Sequence, residues 1–192
     1  MNYQPYRNLP ALAGIASFPD AMRAGLSIEA CVGRLKRYHY TLKRLHQIFI
    51  ARLTAEPIYE LKMGFSLHAH YCAEHVAALR NRVGEMREPP LGLEETPHAA
   101  LEIFFDEILA APTTEGLVTG IYCKALPAVK AAMEQHLADT NPLADHPSVR
   151  VLRFAPGVTE SGGTPSLGLG TDGMPIDMKI EQAARHGAAL LV

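Results

Sequence analysis

The sequence predicts an all-α protein built as a four-helix up-down bundle. Two long stretches repeat apolar residues at steps of three and four, the period of a helix with one buried face. A short link at residues 54–57 joins them, so we expect them to be antiparallel neighbours. Prolines divide the next residues into two more helical stretches. We therefore predict a bundle domain at residues 26–154, between a proline-rich N-terminal arm (1–25) and a Gly/Pro-rich C-terminal tail (155–192).

Composition excludes several classes of partner. Hydrophobic residues make up 48% of the 192 residues and charged residues 20%, as in an ordinary globular protein. The net charge of −2 gives no basic footprint, so we expect no nucleic-acid partner. No apolar run approaches the roughly 18 residues of a membrane helix, and the N-terminus lacks a signal-peptide pattern. We expect a soluble, cytoplasmic protein without a membrane partner.

The cysteines support a reducing compartment. Cys31, Cys72 and Cys123 are far apart, and each falls within a predicted helix. This pattern favours reduced, buried side chains over a disulfide framework or a zinc cluster.

The first long helix is predicted from Ile28 to Leu53. Ser27 provides an N-cap, and Glu29 lies in the first turn, where the helix dipole favours an anion. The apolar seam of this helix includes two histidines, His39 and His46.

The second long helix is predicted over residues 57–87, with Pro57 in its first turn. Its apolar face also includes two histidines. That face consists of Ile58, Leu61, Phe65, His68, Cys72, His75, Leu79, Val83 and Met86.

Prolines mark the remaining helices. Thr96 and Pro97 predict the start of a third helix over 97–111. A fourth helix is predicted over 115–139, with a kink near Lys124 because Pro127 removes a backbone hydrogen bond. A short fifth helix over 148–154 would be capped by Asp145 or Ser148.

The arm and the tail differ from the bundle in composition. Three prolines indicate that the arm is extended and packs over another part of the protein. The tail holds too little apolar surface to offset the conformational entropy lost on ordering. We therefore expect a flexible linker with a small helix over 176–191. The apolar C-terminus also allows the chain to be a fragment or to dock on a neighbour.

Histidines and carboxylates on the inner helix faces predict a metal site. Imidazole and carboxylate groups in a bundle interior are typical ligands of transition metals. The candidate ligands are His39, His46, His68, His75, Glu60, Glu74, Glu102 and Asp106. The alternative is that each histidine is a core residue whose ring nitrogens are paired by a carbonyl or carboxylate.

Three smaller patterns each allow two interpretations. His70 and Glu74, four residues apart, form either a surface pair or a metal-binding pair. The aromatic cluster at residues 38–40 lines a small-molecule pocket or belongs to the core. The charged run Arg80, Arg82, Glu85 and Arg87 predicts a salt-bridge network closing one bundle end, or an anion site.

The long antiparallel helices with inward His and carboxylate residues make residues 26–140 resemble the ferritin-like superfamily. The Glu-x-x-His motif of its di-iron members is found only at Glu95–His98, across a helix start. The chain also resembles the haem-oxygenase-like metal oxidases, whose ligands come from a bundle interior with different spacing.

The resemblance implies a metal-dependent oxidoreductase that uses iron, or another transition metal, on a small-molecule substrate. The alternative is a metal-free bundle that acts as an assembly or binding module. In that case the arm and the tail contact partner subunits, and we expect a homo-oligomer.

Overall fold

The computed structural model describes residues 10, 14, 16–86 and 92–153, and this part of the chain is helical without a strand. The elements are α1 (Phe18–Ala21), α2 (Ile28–Leu53), α3 (Tyr59–Glu85), α4 (Ala99–Leu109), α5 (Thr114–Val118), a π-helix (Thr119–Ala125), α6 (Leu126–Asp139) and α7 (His146–Arg153). The predicted all-α fold class is confirmed.

Helices α2 and α3 form the antiparallel pair on which the other helices pack. His46 contacts the backbone of Ala69, and Phe49 stacks against Phe65 with ring centroids 5.6 Å apart. Going from His46 to Phe49 along α2, the contacted residue changes from Ala69 to Phe65 of α3. The two helices therefore run in opposite directions. Apolar burial drives the packing, and the largest fully buried side chains include Leu35, Leu42, Leu45, Ile48, Phe49, Phe65 and Leu79.

The helix starts correct part of the sequence analysis. The predicted cap at Ser27 is confirmed, because its hydroxyl accepts a hydrogen bond from Ala30 N at 3.2 Å. Pro57 does not lie in the first turn of α3, since the N-cap is Ile58. Helix α4 also begins later than predicted. His98, rather than Thr96, caps it by accepting from Ala100 N at 3.2 Å.

The predicted fourth helix is continuous from Thr114 to Asp139, but its middle is π-helical. Proline has no N–H and crowds the preceding turn, so Pro127 disfavours regular α-helical bonding just before it. The predicted kink at Lys124 therefore takes the form of a widened turn. Gly120 lies here against α4, where an added Cβ would lie 2.9 Å from Ile108 Cγ1.

The N-terminal segment docks on the loop between α6 and α7. Its described part is not wholly extended as predicted, because Ser17 caps the short α1. Asn141 Nδ2 donates to Ala21 O at 2.8 Å and to Arg23 O at 2.7 Å. Gly25 passes so close that an added Cβ would be 2.8 Å from Asn141 N. The prediction that this arm packs over another part of the protein holds for these residues.

Helix α7 begins at His146, and Asp145 is its cap, accepting from Ser148 N at 3.4 Å. Ser148, the other predicted cap, lies inside the helix and is fully buried. Within the described ranges, no helix is both long and apolar enough to cross a bilayer. The predicted helix over 176–191 and the rest of the tail lie outside the described residues.

Candidate functional site

The histidines of the α2–α3 seam are buried as predicted, with one exception. His39, His68 and His75 are 1%, 6% and 3% exposed, whereas His46 is only partly buried. Burial disfavours the charged imidazole and lowers the pKa of the first three, so each of these rings is neutral near pH 7.

His68 lies in an aromatic pocket. Its Nδ1 is 2.5 Å from the Tyr122 hydroxyl, and its ring centroid is 5.7 Å from that of Phe49 and 5.4 Å from that of Tyr122. Burial lowers the pKa of His68 to about 4 and raises that of Tyr122. The buried Nε2 of His68 has no hydrogen-bond partner among the described residues.

The other seam histidines are each in a separate environment. His46 Nδ1 is 2.9 Å from the carbonyl oxygen of Ala69, which matches the alternative interpretation of a paired core histidine. In the described part of the chain, His75 Nε2 and His39 Nδ1 are buried without a partner. After burial, the positive charges of Lys43 and Arg80 lower the pKa of His39 further.

The predicted carboxylates do not surround these histidines. Glu102 and Asp106 are exposed, and Asp106 forms an ion pair with Arg44. Glu74 forms an exposed pair with His70 at 3.6 Å, as the surface interpretation of that pattern predicts. Glu60 is half-buried, and its Oε2 has no partner within the described ranges.

A different group of side chains brings three ligand atoms together. Cys31 Sγ, His136 Nε2 and Asp145 Oδ2 define the group, and all their ligand atoms lie within 4.8 Å of one another. Cys31 Sγ is 3.6 Å from His136 Nε2 and 3.1 Å from Asp145 Oδ2. Among the described residues it is the sole group of this kind, and none of the eight predicted ligands belongs to it.

Three helices position this cluster at one end of the bundle. Cys31 lies in the first turn of α2, His136 in the last turn of α6, and Asp145 at the cap of α7. Cys31 is 2% exposed and His136 is fully buried. The ring of Tyr38 packs 5.8 Å from that of His136, and the His136 Nδ1 has no partner within the part of the chain that the structure describes.

Arg82 of α3 holds the cluster from the other side. Its Nη2 donates to Asp145 Oδ1 at 2.7 Å, its Nε donates to the Ser148 hydroxyl at 2.8 Å, and its Nη1 bonds Glu85 at 3.1 Å. The predicted salt-bridge network at a bundle end is therefore present around Arg82, while Arg87 lies outside the described residues. Because Arg82 occupies Oδ1, the Oδ2 of Asp145 faces Cys31.

The charges in the cluster follow from burial and hydrogen bonding. Burial, with the neighbouring Asp145, raises the pKa of Cys31 to about 12, so the thiol is protonated and donates to Asp145. Burial alone would raise the pKa of Asp145, but hydrogen bonds from Cys31, Ser148 and Arg82 outweigh it and lower that pKa. Burial lowers the pKa of His136. The cluster thus holds a thiol, a carboxylate and a neutral imidazole.

This geometry does not suit nucleophilic catalysis. A catalytic cysteine needs a low thiol pKa and access to a substrate, and Cys31 has neither. In a Cys-His-Asp relay the carboxylate orients the far nitrogen of the histidine. Here Asp145 bonds the cysteine itself, while Nδ1 of His136 has no partner in the described ranges.

The same geometry suits a tetrahedral metal. Zinc bonds of about 2.3 Å to sulfur and about 2.0–2.1 Å to nitrogen or oxygen require ligand atoms about 3.5 Å apart. The two sulfur distances, 3.6 and 3.1 Å, lie on either side of this value. Thiolate, imidazole and carboxylate are all zinc ligands.

Sequence patterns do not predict this cluster, because Cys31 is 105 residues from His136 and 114 from Asp145 and each residue is individually ordinary. The sequence predicts that Cys31 and Cys72 are both small buried core residues and that Asp145 is a helix cap. The prediction that all three cysteines are buried is wrong for Cys123, which is exposed. His136 and Asp145 lie on either side of one short predicted loop, so the sequence places these two residues near each other. The helical periodicity does not place either of them near Cys31.

Comparisons with known proteins give no functional assignment. The chain significantly matches no protein-family model, no curated protein and no solved structure. The resemblance to the ferritin-like superfamily therefore stays a prediction.

Proposed function

We propose that this protein is a metal-binding helical bundle in which Cys31, His136 and Asp145 hold one divalent transition metal, with zinc as the best match. The observation that carries the proposal is the convergence of a sulfur, a nitrogen and an oxygen atom within 4.8 Å of one another. The metal would join the start of α2 to the end of α6 and the start of α7, which lie more than 100 residues later in the sequence.

The charge balance supports a divalent ion. Metal binding displaces the thiol proton of Cys31, so a thiolate and the Asp145 carboxylate balance the two positive charges of the metal, while Glu85 balances the charge of Arg82. Arg82 then acts as a positioning residue, because it holds Oδ1 of Asp145 and leaves Oδ2 for the metal. Ser148, whose hydroxyl lies 3.9 Å from Cys31 Sγ, is the nearest candidate for a fourth ligand.

The burial of the cluster supports a stabilising role for the metal. A catalytic zinc keeps a coordination position open to substrate, whereas structural zinc sites are closed. Cys31 and His136 are at most 2% exposed and the Asp145 side chain is 17% exposed, which leaves a substrate little access. We therefore propose a binding or assembly module whose fold the metal stabilises.

A ferritin-like iron oxidoreductase, with an up-down four-helix arrangement, is the second candidate. It is supported by His68 and His75, whose buried Nε2 atoms have no partner among the residues that the structure describes. In this case iron would bind in the α2–α3 seam, and substituting those two histidines would remove the bound iron.

Metal analysis of matched variants tests both candidates. Untagged protein carrying Cys123→Ser, which removes the exposed thiol, is loaded with zinc or iron, dialysed and analysed by mass spectrometry. We expect about one zinc per chain, and Cys31→Ser or His136→Ala should reduce it below about a tenth. The matched controls Cys72→Ser and His75→Ala, also buried but outside the cluster, should retain it.

Circular dichroism checks that each variant is helical. Zinc content below about a tenth of an equivalent in the parent, or equal losses in both pairs of variants, would overturn the zinc proposal. About one equivalent of iron that is lost in His68→Ala and His75→Ala would favour the second candidate.

A further inference from the structure

An apolar groove of about 430 Å³ runs between α2, α4 and α6, outside the metal cluster. Its volume lies in the range of about 300–1,000 Å³ that is common for small-molecule sites. Leu101 and Phe104 of α4 form one wall, and Val129 of α6 forms part of the other. The groove is open to solvent on one side.

Small side chains at the end of the π-helix and on α6 make room for the groove. Ala125, Ala128 and Ala132 follow one another at steps of three and four and all line it. Ala128 and Ala132 are exposed, so larger residues would be tolerated there without disturbing the core. Their small size keeps α6 from closing against Phe104.

Two arginines of α2 line the same groove. Arg34 is already neutralised by Asp139, at 2.7 Å. Arg37 is exposed, and its Nε donates a hydrogen bond to Gly33 O of its own helix, at 3.3 Å. Across residues 16–86 and 92–153 no carboxylate forms an ion pair with Arg37. The groove thus combines apolar walls with one cation that has no ion-pair partner among the described residues.

We propose that this groove binds a small molecule with an apolar body and a single carboxylate, and that the carboxylate pairs with Arg37. A guanidinium group bonds a carboxylate through two parallel N–H groups, which fixes the orientation of the ligand. The apolar body contacts Leu101, Phe104 and Val129. Metal binding at Cys31 is not required for this site.

Dodecanoate and dodecan-1-ol, which differ only in the head group, test the proposal by calorimetric titration of the full-length chain below micelle-forming concentrations. We expect one dodecanoate per chain and at least about tenfold weaker binding of dodecan-1-ol. Ala128→Leu, which fills the groove, should weaken dodecanoate binding by at least about tenfold. Arg37→Gln should weaken dodecanoate binding by about tenfold while leaving dodecan-1-ol binding unchanged.

Matched controls lie on α6 beside the groove. Ala131→Leu and Lys130→Gln alter an exposed alanine and a lysine that do not line it, and they should leave dodecanoate binding unchanged. Undetectable dodecanoate binding, or equal binding by Ala128→Leu and Ala131→Leu, would overturn the proposal. A dimer in light scattering that Ala128→Leu abolishes would also overturn it, because a second copy of the chain would then occupy the groove.

Discussion

The seam histidines of α2 and α3 and the cluster at the end of the bundle show two outcomes for buried polar groups. In the seam, His68 and His75 are buried, and each keeps a nitrogen without a partner in the described residues. At the bundle end, Cys31, His136 and Asp145 face one another, and Arg82 fixes the carboxylate. A set of converging ligand atoms therefore depends on how several helices meet, not on the number of histidines along one helix face.

The largest effect is expected from removing the carboxylate of the cluster. Asp145→Ala leaves Arg82, whose side chain is 12% exposed, without its largely buried partner, whose side chain is 17% exposed, and removes the cap of α7. Breaking such a pair costs about 3–5 kcal/mol of unfolding free energy, measured by urea denaturation. Asp106→Ala is the matched control, because it breaks an exposed ion pair worth less than about 1 kcal/mol.

Equal losses of stability in these two variants would contradict the structural importance of the cluster. Both unfolding free energies are also measured in the presence of a metal chelator. The stability that remains then reflects the ion pair and not bound metal.

Acidification should destabilise the protein through the seam. The pKa of His68 is about 4 in the folded protein against 6.5 as the ordinary value, so the unfolded chain takes up a proton first as the pH falls. Stability should be insensitive to His68 above pH 6.5 and should fall between about pH 6.5 and pH 4. From about pH 7.5 to pH 5, His68 alone should reduce the unfolding free energy by about 2 kcal/mol.

Urea titrations of the wild type and His68→Gln at both pH values measure this contribution. The variant should lose less stability on acidification than the wild type. The account of a buried, neutral His68 fails if the two proteins lose the same amount.

The smallest change in stability is expected from removing a seam histidine. In His75→Leu an apolar side chain replaces a buried ring whose Nε2 has no partner within the described part of the chain. Such a replacement is nearly neutral or stabilising, so thermal or urea unfolding should change by about 1 kcal/mol or less. His136→Leu should instead abolish zinc-dependent stabilisation. A loss of zinc binding in His75→Leu would contradict the distinction between the two regions.

Local patterns in the sequence were enough to predict much of the fold. Ser27 and the seam through Leu35 and Phe49 specify α2, and Pro127 marks the interruption that appears as the π-helix. The start of α4 was misplaced because the His98 side chain caps the helix in place of Thr96. Capping by histidine has a weaker sequence signal than capping by threonine.

The candidate site could not be predicted from these patterns. Helical periodicity shows which face a residue occupies, and it correctly indicated burial of His39, His68 and His75. It contains no information on how far apart two buried groups on different helices lie. Cys31 and Asp145 meet only because α7 folds back on α3 and the loop before it docks on the N-terminal segment.

Cobalt substitution tests the metal site most directly, because a bond between Co²⁺ and a thiolate gives a charge-transfer band in the near ultraviolet. We expect untagged Cys123→Ser protein to show this band together with the visible bands of a tetrahedral site. Adding Cys31→Ser should abolish the charge-transfer band, and adding Cys72→Ser should leave it intact. Absence of the band in the parent, or its persistence without Cys31, would contradict a metal at this cluster.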